Sequence, residues 1–345
     1  MSVVKTPFMF SLRYLFACIP AILCLIGNIY GGWSAALNII YSMLLLPVLE
    51  WFLPDATDSN DTKEGDVLPT IILILLSALH FSVTFTLLNG VISERLTGIF
   101  LVAAVLSSGI HAGTNGIVVA HELIHRKSAL LRALGIFNLF QVNYAHFYIE
   151  HIKGHHKYVC TEGDPATARY GENLYSFIFR TIPGQFMSAF YSERRRIYHH
   201  SGSHFFNFVT LSSLIELLIL AVLTIIFGIG VLAVYLAYAA MAIFLLEYVN
   251  YIEHYGLSRD LSEKFSKHHA WQSNKITSRY GLVELSRHAD HHLRASKPYQ
   301  VLQHHQGYSL PSGYYGMFYV ALMPPLWFKM INPILRPEKF KKIRP

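Results

Sequence analysis

The chain has 345 residues, of which 53% are hydrophobic and only 14% charged. Soluble domains carry about 25% charged residues, so the composition excludes an ordinary water-soluble globule and points to a lipid-bathed protein. A net charge of +7 raises nucleic acid as a partner. The basic residues are instead scattered around apolar runs, as in loops facing anionic lipid, so nucleic-acid binding is set aside.

Lys5 and Arg13 precede an apolar stretch that resembles a secretory leader. Another apolar run follows directly after residues 28–33, so the stretch reads as a first membrane helix and not a cleaved leader. A helix crossing the bilayer core needs roughly 20 apolar residues. Six runs qualify, at residues 14–33, 37–53, 68–92, 97–120, 205–227 and 230–251. Short connections pair them into three hairpins, the second turning around Ser93-Glu94-Arg95 and the third around residues 228–230. Pro20 and Pro47 are candidate kinks, which membrane helices tolerate. Residues 54–66 (PDATDSNDTKEGD) form a polar, acidic loop. Residues 130–147 are a seventh apolar stretch, interrupted by Asn138, Gln141, Asn143 and His146. They read as a helix at or dipping into the interface, with a full span as the alternative. The three cysteines, Cys18, Cys24 and Cys160, make no CxxC pair, so neither a disulfide framework nor an iron–sulfur site is expected.

With the N-terminus inside, residues 126–204 and 255–345 fall on the same side. They carry Arg126, Lys127, Arg132, Lys153, Lys157, Arg194, Arg195, Arg196, Lys339, Lys341, Lys342 and Arg344. The opposite side has little beyond Arg95, so the positive-inside rule makes the basic side cytoplasmic. The expected fold is all-α and integral to the membrane. It is a single membrane-embedded domain over residues 1–345, with six transmembrane helices and cytoplasmic catalytic segments at 121–204 and 252–337. Those segments would hold a histidine-rich helical di-metal site.

Four clusters on that side contain nine of the chain's 19 histidines. His121 and His125 are i, i+4 on one helical face and able to bind one ion together. In Glu150-His151-x3-His155-His156 the first two histidines share a face, and His156 is rotated by about 100°, free to turn to a second ion. His254 closes the sixth span. His288, His291 and His292 lie at i, i+3 and i+4 on one side. Nine imidazoles exceed what one ion takes. Two ions sharing them have four or five ligands each and an open position, whereas a structural zinc site is complete with four. Imidazole suits zinc, copper, iron and nickel alike. The nearby carboxylates Glu122, Glu150, Asp164, Glu253 and Asp290, with Asn250, are candidates to accept the second ring N–H and fix its tautomer. Solvated charges at helix ends are the alternative for each.

A lone HExxH also suits a zinc protease, but that reading leaves seven clustered histidines unexplained. Of the remaining ten, His199, His200, His304 and His305 read as surface-loop residues and His80 and His111 as packing residues. His146 and His204 carry no assignment, and His268-His269 stands near the fourth cluster as support for the site.

HELIH, EHIKGHHKYV followed by DPATARYGE, NYIEHYGL and RHADHH resemble the four signatures of the integral-membrane alkane hydroxylases (alkane 1-monooxygenases), within the membrane fatty-acid desaturase-like superfamily. NYIEHYGL is the most discriminating of these. Residues 310–314 and 324–327 resemble that family as well. The resemblance implies a non-haem di-iron centre, two Fe ions held by His121, His125, His151, His155, His156, His254, His288, His291 and His292. It implies insertion of one oxygen atom from O2 into the terminal C–H of medium- to long-chain alkanes, giving 1-alkanols. Electrons would come from separate rubredoxin and rubredoxin reductase, at the cytoplasmic face of a bacterial inner membrane. Arg126, Ser286 and Ala289 stand where the family commonly has lysine, glutamine and serine. None of these removes a ligand, and they leave open an alkyl-aromatic substrate. Residues 41–45 of the second span are candidates for setting chain length. Arg194–Arg196, Lys153 and Lys157 are candidates for docking an acidic donor or anionic lipid. The rivals are a desaturase or sterol hydroxylase and, from another class, a metal transporter.

Overall fold

The structure is a computed structural model and describes residues 10–57, 62–199 and 207–335. Lys5, His200, His204 and the basic residues beyond 335 lie outside the described residues, as does the predicted start of the fifth span at 205.

Six helices among the described residues are long and apolar enough to cross a membrane: Leu12–Tyr30, Gly32–Phe52, Val67–Ile92, Gly98–Ile124, Phe208–Phe227 and Ile229–His254. The first two turn on Gly31 and Gly32, both at positive φ (67° and 57°), which a side chain would resist. The first span begins with a 3-10 stretch, Leu12–Cys18, so Pro20 falls in the opening turn of the following α-helix, where its missing N–H costs nothing. In the second span, a π-helical segment, Ile40–Leu45, gives way to α-helix just before Pro47. Proline leaves the carbonyl four residues back without its N–H partner, and Tyr319 Oη donates to that carbonyl, Met43 O, at 2.7 Å.

The fourth span is the axis of the bundle: 78% of its most apolar window is buried inside the protein, against 17% for the fifth. It packs on the sixth through small residues. A Cβ on Gly109 or Gly113 would come within 2.7 Å of Met241 or 2.8 Å of Leu245 respectively, so these glycines let the two backbones approach, as in small-residue membrane interfaces.

Counting apolar residues ended the fourth and sixth spans at 120 and 251, yet the helices run on to Ile124 and His254. Helical hydrogen bonding does not stop where polarity begins, so the first and third motifs ride on the spans themselves. The seventh apolar stretch resolves into Ala129–Phe140, a helix of 12 residues. At ~1.5 Å per residue it is too short to cross ~30 Å of hydrocarbon. It lies back along the end of the fourth span, with Ser128 capping its first turn.

The segment after the sixth span folds over the end of the bundle with short helices, Ile276–Gly281, His288–Leu293, Phe318–Leu322 and Pro324–Ile331. Its core is aromatic, with Trp271, Trp327, Tyr255 and Tyr314 almost wholly buried. Trp271–Gln272 pairs in parallel with Tyr308–Ser309. Two buried polar joints fasten this cap to the first two spans. Arg279 forms a fully buried ion pair with Glu284 at 2.8 Å, and Tyr14 Oη donates to Glu284 at 2.9 Å. Glu50 accepts from Thr277 Oγ1, Ser278 Oγ and Gly316 N at 2.5–2.6 Å. Burying these groups is tolerable because Arg279 and Glu284 are paired and Glu50 is satisfied by three hydrogen bonds.

Candidate metal centre

All nine clustered histidines meet at one end of the bundle. The fourth span delivers His121, with His125 at its C-cap; the helical segment 147–158 delivers His151, His155 and His156. The sixth span ends on His254, and the helix His288–Leu293 supplies the last three.

They fall into two groups whose candidate ligand atoms lie within 4.8 Å of one another: His121, His125, His151, His156 and His291 in one, and His155, His254, His288 and His292 in the other. Within the first, Nε2 of His156 is 3.0 Å from Nε2 of His151 and 3.1 Å from Nε2 of His291. Within the second, Nε2 of His288 is 3.0 Å from that of His254 and 2.9 Å from that of His292. The groups adjoin, the rings of His156 and His292 being 4.4 Å apart.

The grouping differs from the spacing argument in two places. His151 pairs with His156, and His155 belongs to the other group. The cause is local: Glu150–His155 is a π-helix, whose i→i+5 turn holds one more residue than an α turn and brings positions five apart onto one face. Likewise His288, His291 and His292 do not serve one ion together. His288 and His292, one α turn apart, face one group, and His291 faces the other. The i, i+4 pair His121 and His125 stays together as expected.

Do the residues fit a metal? A neutral imidazole has one N–H. His155 Nδ1 lies 2.9 Å from Asp164 Oδ2 and His254 Nδ1 3.2 Å from the His269 carbonyl, so both spend their N–H there and turn an Nε2 lone pair inward. Nε2 of His121 and of His125 is buried with no hydrogen-bond partner. Burial, then the neighbouring imidazoles, holds His151, His156, His288, His291 and His292 well below the usual histidine range, and His125 is pushed down to about 3. Converging neutral nitrogens repel unless a cation lies among them. Zinc–nitrogen bonds of roughly 2.0–2.1 Å put ligand atoms about 3–4 Å apart, close to this spacing. The donor set fits a metal centre with nitrogen ligands.

Of the carboxylates singled out in the sequence, two reach ligand-candidate rings. Asp164 holds His155, and Glu253 Oε1 stands 3.3 Å from His288 Nδ1 while accepting from Tyr314 Oη at 2.8 Å. Burial alone would raise Asp164, but the charge interaction and hydrogen bond with His155 outweigh it and leave the carboxyl below its usual value. The other three carboxylates, and Asn250, point elsewhere. Glu122 pairs with Arg126 at 2.7 Å and accepts from Tyr299 N. Glu150 is wholly buried under the π turn against Gly154, and burial pushes it up to about 8. Asn250 donates to Glu247 at 3.0 Å. Asp290 turns to Lys297, to Gln303 N and to His305 Nε2 at 2.7 Å. Lys297, Gln303 and His305 all arrive from the following loop, which local spacing does not reveal. His305 is therefore held by Asp290 and is not a free loop residue. His80 and His111 pack on one another in the membrane core, with ring centroids 5.7 Å apart.

His269, expected from the sequence as support for the site, fixes His254 through its carbonyl, whereas sequence reading missed Tyr314, which holds Glu253. It also missed the buried cluster in which Tyr144 and Gln185 donate to Glu247 at 2.8–3.0 Å. A small cavity, about 20 Å³, lies directly beneath the centre on the membrane side, with Asn250 and Glu253 among its lining residues. His121, His151 and His288 form its roof, and Ile117, Val118, Phe147, Leu246 and Val249 line its apolar wall. The fourth and sixth spans supply most of that wall. Residues 41–45 of the second span do not line it: Tyr41 packs instead against Phe16.

Fold and site together define an integral-membrane protein whose helices gather a histidine-rich, non-haem metal centre at one end of the bundle. A family profile described as fatty acid desaturase matches residues 96–322. Alkane 1-monooxygenase 1 of Pseudomonas aeruginosa is 40% identical over 241 residues, covering 67% of this chain. The chain spans 63% of the length of that relative. The alkane 1-monooxygenase of Ectopseudomonas oleovorans is 33% identical over 351 residues, 95% of this chain and 84% of that protein. The xylene/toluene monooxygenase hydroxylase component of Pseudomonas putida is 28% identical over 336 residues, 94% and 89% of the two chains. The chain belongs to the alkane 1-monooxygenase family of oxygenases, within the fatty acid desaturase group.

Proposed function

We propose that the chain inserts one oxygen atom from O2 into the terminal C–H bond of medium- to long-chain alkanes, giving 1-alkanols, at two irons held by His121, His125, His151, His156 and His291 and by His155, His254, His288 and His292. The observation that carries this reading is the junction of two adjoining imidazole groups with a small, mainly apolar cavity on their membrane side. Bound iron supplies the dioxygen chemistry that an unactivated C–H bond needs and that no side chain provides. The protein supplies position. Ile117, Val118, Leu246 and Val249 present apolar side chains just below the histidines, beside Asn250 and Glu253, and are the groups that the end of a hydrocarbon chain would meet on reaching the centre. Asp164 holds His155 by a hydrogen bond with Nε2 turned inward, and Glu253 places a carboxyl group 3.3 Å from His288 Nδ1.

Electrons come, on this reading, from rubredoxin and its reductase. A groove lined by Gly163, Ser188, Tyr191, Arg194 and Arg195 supports docking of such an acidic donor. Both arginines are exposed, and Gly163 immediately precedes Asp164, so the groove is close to His155. The basic residues at the histidine-bearing end support a cytoplasmic face, in a bacterial inner membrane. Membranes carrying the chain, supplied with rubredoxin, reductase and NADH, are expected to convert octane or hexadecane to the 1-alkanol, and His156→Ala is expected to abolish it. Iron-loaded membranes that consume no alkane would refute the substrate assignment.

A second reading, hydroxylation of the methyl group of an alkyl-aromatic, is favoured by the nearly full-length similarity to the xylene/toluene hydroxylase component. Competition between octane and p-xylene in the same membranes separates the two.

A further inference from the structure

The two imidazole groups are built unequally, and the difference lies behind the ligand-candidate rings. In the four-histidine group, three of the four second nitrogens face acceptors. His155 Nδ1 is hydrogen-bonded to Asp164 at 2.9 Å and His254 Nδ1 to the His269 carbonyl at 3.2 Å, while Glu253 stands within ion-pair distance of His288 Nδ1, at 3.3 Å, without a hydrogen bond to it. Each carboxylate is itself fixed. Asp164 accepts from Thr167 Oγ1 at 2.6 Å and from Ala166 N at 3.0 Å, and Glu253 from Tyr314 Oη at 2.8 Å. In the five-histidine group, no carboxylate of the described residues comes within ion-pair distance of His121, His125, His151, His156 or His291. The two carboxylates closest in sequence are drawn off, Glu122 by Arg126 and Glu150 into the π turn against Gly154.

We infer that Asp164 and Glu253 are positioning residues for one metal position only, so that the centre holds two inequivalent ions: one backed by two carboxylates at the four-histidine position, the other held by five imidazoles with no anionic backing. This rests on the metal-centre reading given above. A carboxylate behind an imidazole fixes its tautomer and raises its basicity, and loss of such a partner weakens metal binding by roughly 10- to 100-fold. The effect falls on the ion that the ring holds. Placement agrees with the division. Asp164 follows Gly163, which lines the surface groove, so the carboxylate-backed position has its anchor on the groove side. Two of the three histidines that roof the small cavity, His121 and His151, belong to the unbacked group.

The test is anaerobic loading of the purified full-length protein with 57Fe(II). Iron per chain and Mössbauer spectra are recorded for the native protein, Asp164→Asn, Glu253→Gln and His125→Ala. The native protein is expected to hold two irons in two spectral components of equal area. Asp164→Asn and Glu253→Gln are each expected to weaken one and the same component, with its iron affinity lowered roughly 10- to 100-fold. His125→Ala is expected to weaken the other. Asp164→Glu, which keeps the carboxylate, is expected to restore the lost component, an outcome that a general folding defect would not give. The inference is overturned if both irons leave together in Asp164→Asn and Glu253→Gln, if these variants and His125→Ala deplete the same component, or if the carboxylate variants keep both irons at native affinity. A native protein that takes up no iron would instead overturn the metal-centre reading itself.

Discussion

Gly154→Ala is the sharpest probe of how the π turn assembles the centre. A Cβ on residue 154 would lie 2.5 Å from Glu150 Oε2 and 2.6 Å from its Cδ, well inside van der Waals contact. A flexible surface glutamate would swing aside, but Glu150 is wholly buried, and the turn itself must open. Overpacking of this kind costs about 1–3 kcal/mol. The consequence for the centre is larger than the cost in stability. His151 and His156 share a group because the turn holds one extra residue, and a turn relaxed to α geometry separates them by about 140° around the helix axis, taking five residues at 3.6 per turn. The assay is iron per chain together with the denaturation midpoint, for the native protein, Gly154→Ala, Glu150→Ala and the double variant. Gly154→Ala is expected to lose iron from the five-histidine group. Glu150→Ala is expected to relieve the clash, so that the double variant recovers iron and the two substitutions couple by about 0.5–3 kcal/mol. Strictly additive effects, or a Gly154→Ala protein with full iron and native stability, would refute the reasoning.

The remaining expectations are simpler. Leu246→Phe narrows the cavity wall beneath the histidines and is expected to shift product from hexadecane toward octane in a competition assay, whereas Tyr41→Phe, off that wall, leaves the ratio unchanged. Asp290→Asn is expected to leave iron content at the native value, because its carboxylate faces Lys297 and His305 and none of the nine histidines; a loss of one iron would contradict this geometry. The metal-free protein is expected to lose stability on acidification. His125 has a folded pKa of about 3 against an ordinary value near 6.5, so the unfolded chain binds the extra proton, and stability present above pH ~6.5 falls as pH drops toward 3. One unit below the ordinary value, each such buried imidazole costs about 1.4 kcal/mol, read as a falling denaturation midpoint between pH 7 and 5.5. A midpoint that holds or rises over that range would contradict it.

Much of this was legible in the sequence because membrane spans and histidine motifs are written in local composition. Six apolar runs gave the six spanning helices, since hydrocarbon admits few alternatives for a run of that length. The nine histidines could be picked out as a set because two polar clusters sat at the ends of those runs and the other two in the segments that follow them. Their partition could not. The exchange of His155 and His156 follows from a π turn, and an extra residue in one turn leaves no mark on the spacing of the letters. The supports for the rings were half legible for a related reason. Asp164 lies nine residues from His155, close enough to suspect, but Tyr314, which anchors Glu253, is 61 residues away and is delivered by the cap. Asp290 misled because proximity in sequence to His291 does not set where its carboxylate turns. Residues 41–45 of the second span do not line the small cavity under the histidines, whose wall is chosen by which helices pack there.

The measurement that tests the central claim most directly is X-ray absorption at the iron edge on the purified, metal-loaded protein, combined with iron per chain by mass spectrometry. Two irons per chain, each with a nitrogen-rich shell and the outer-shell scattering of several imidazoles, is the expected result. A single metal per chain, or two ions whose shells are dominated by carboxylate oxygen, would contradict a centre built from five and four histidines.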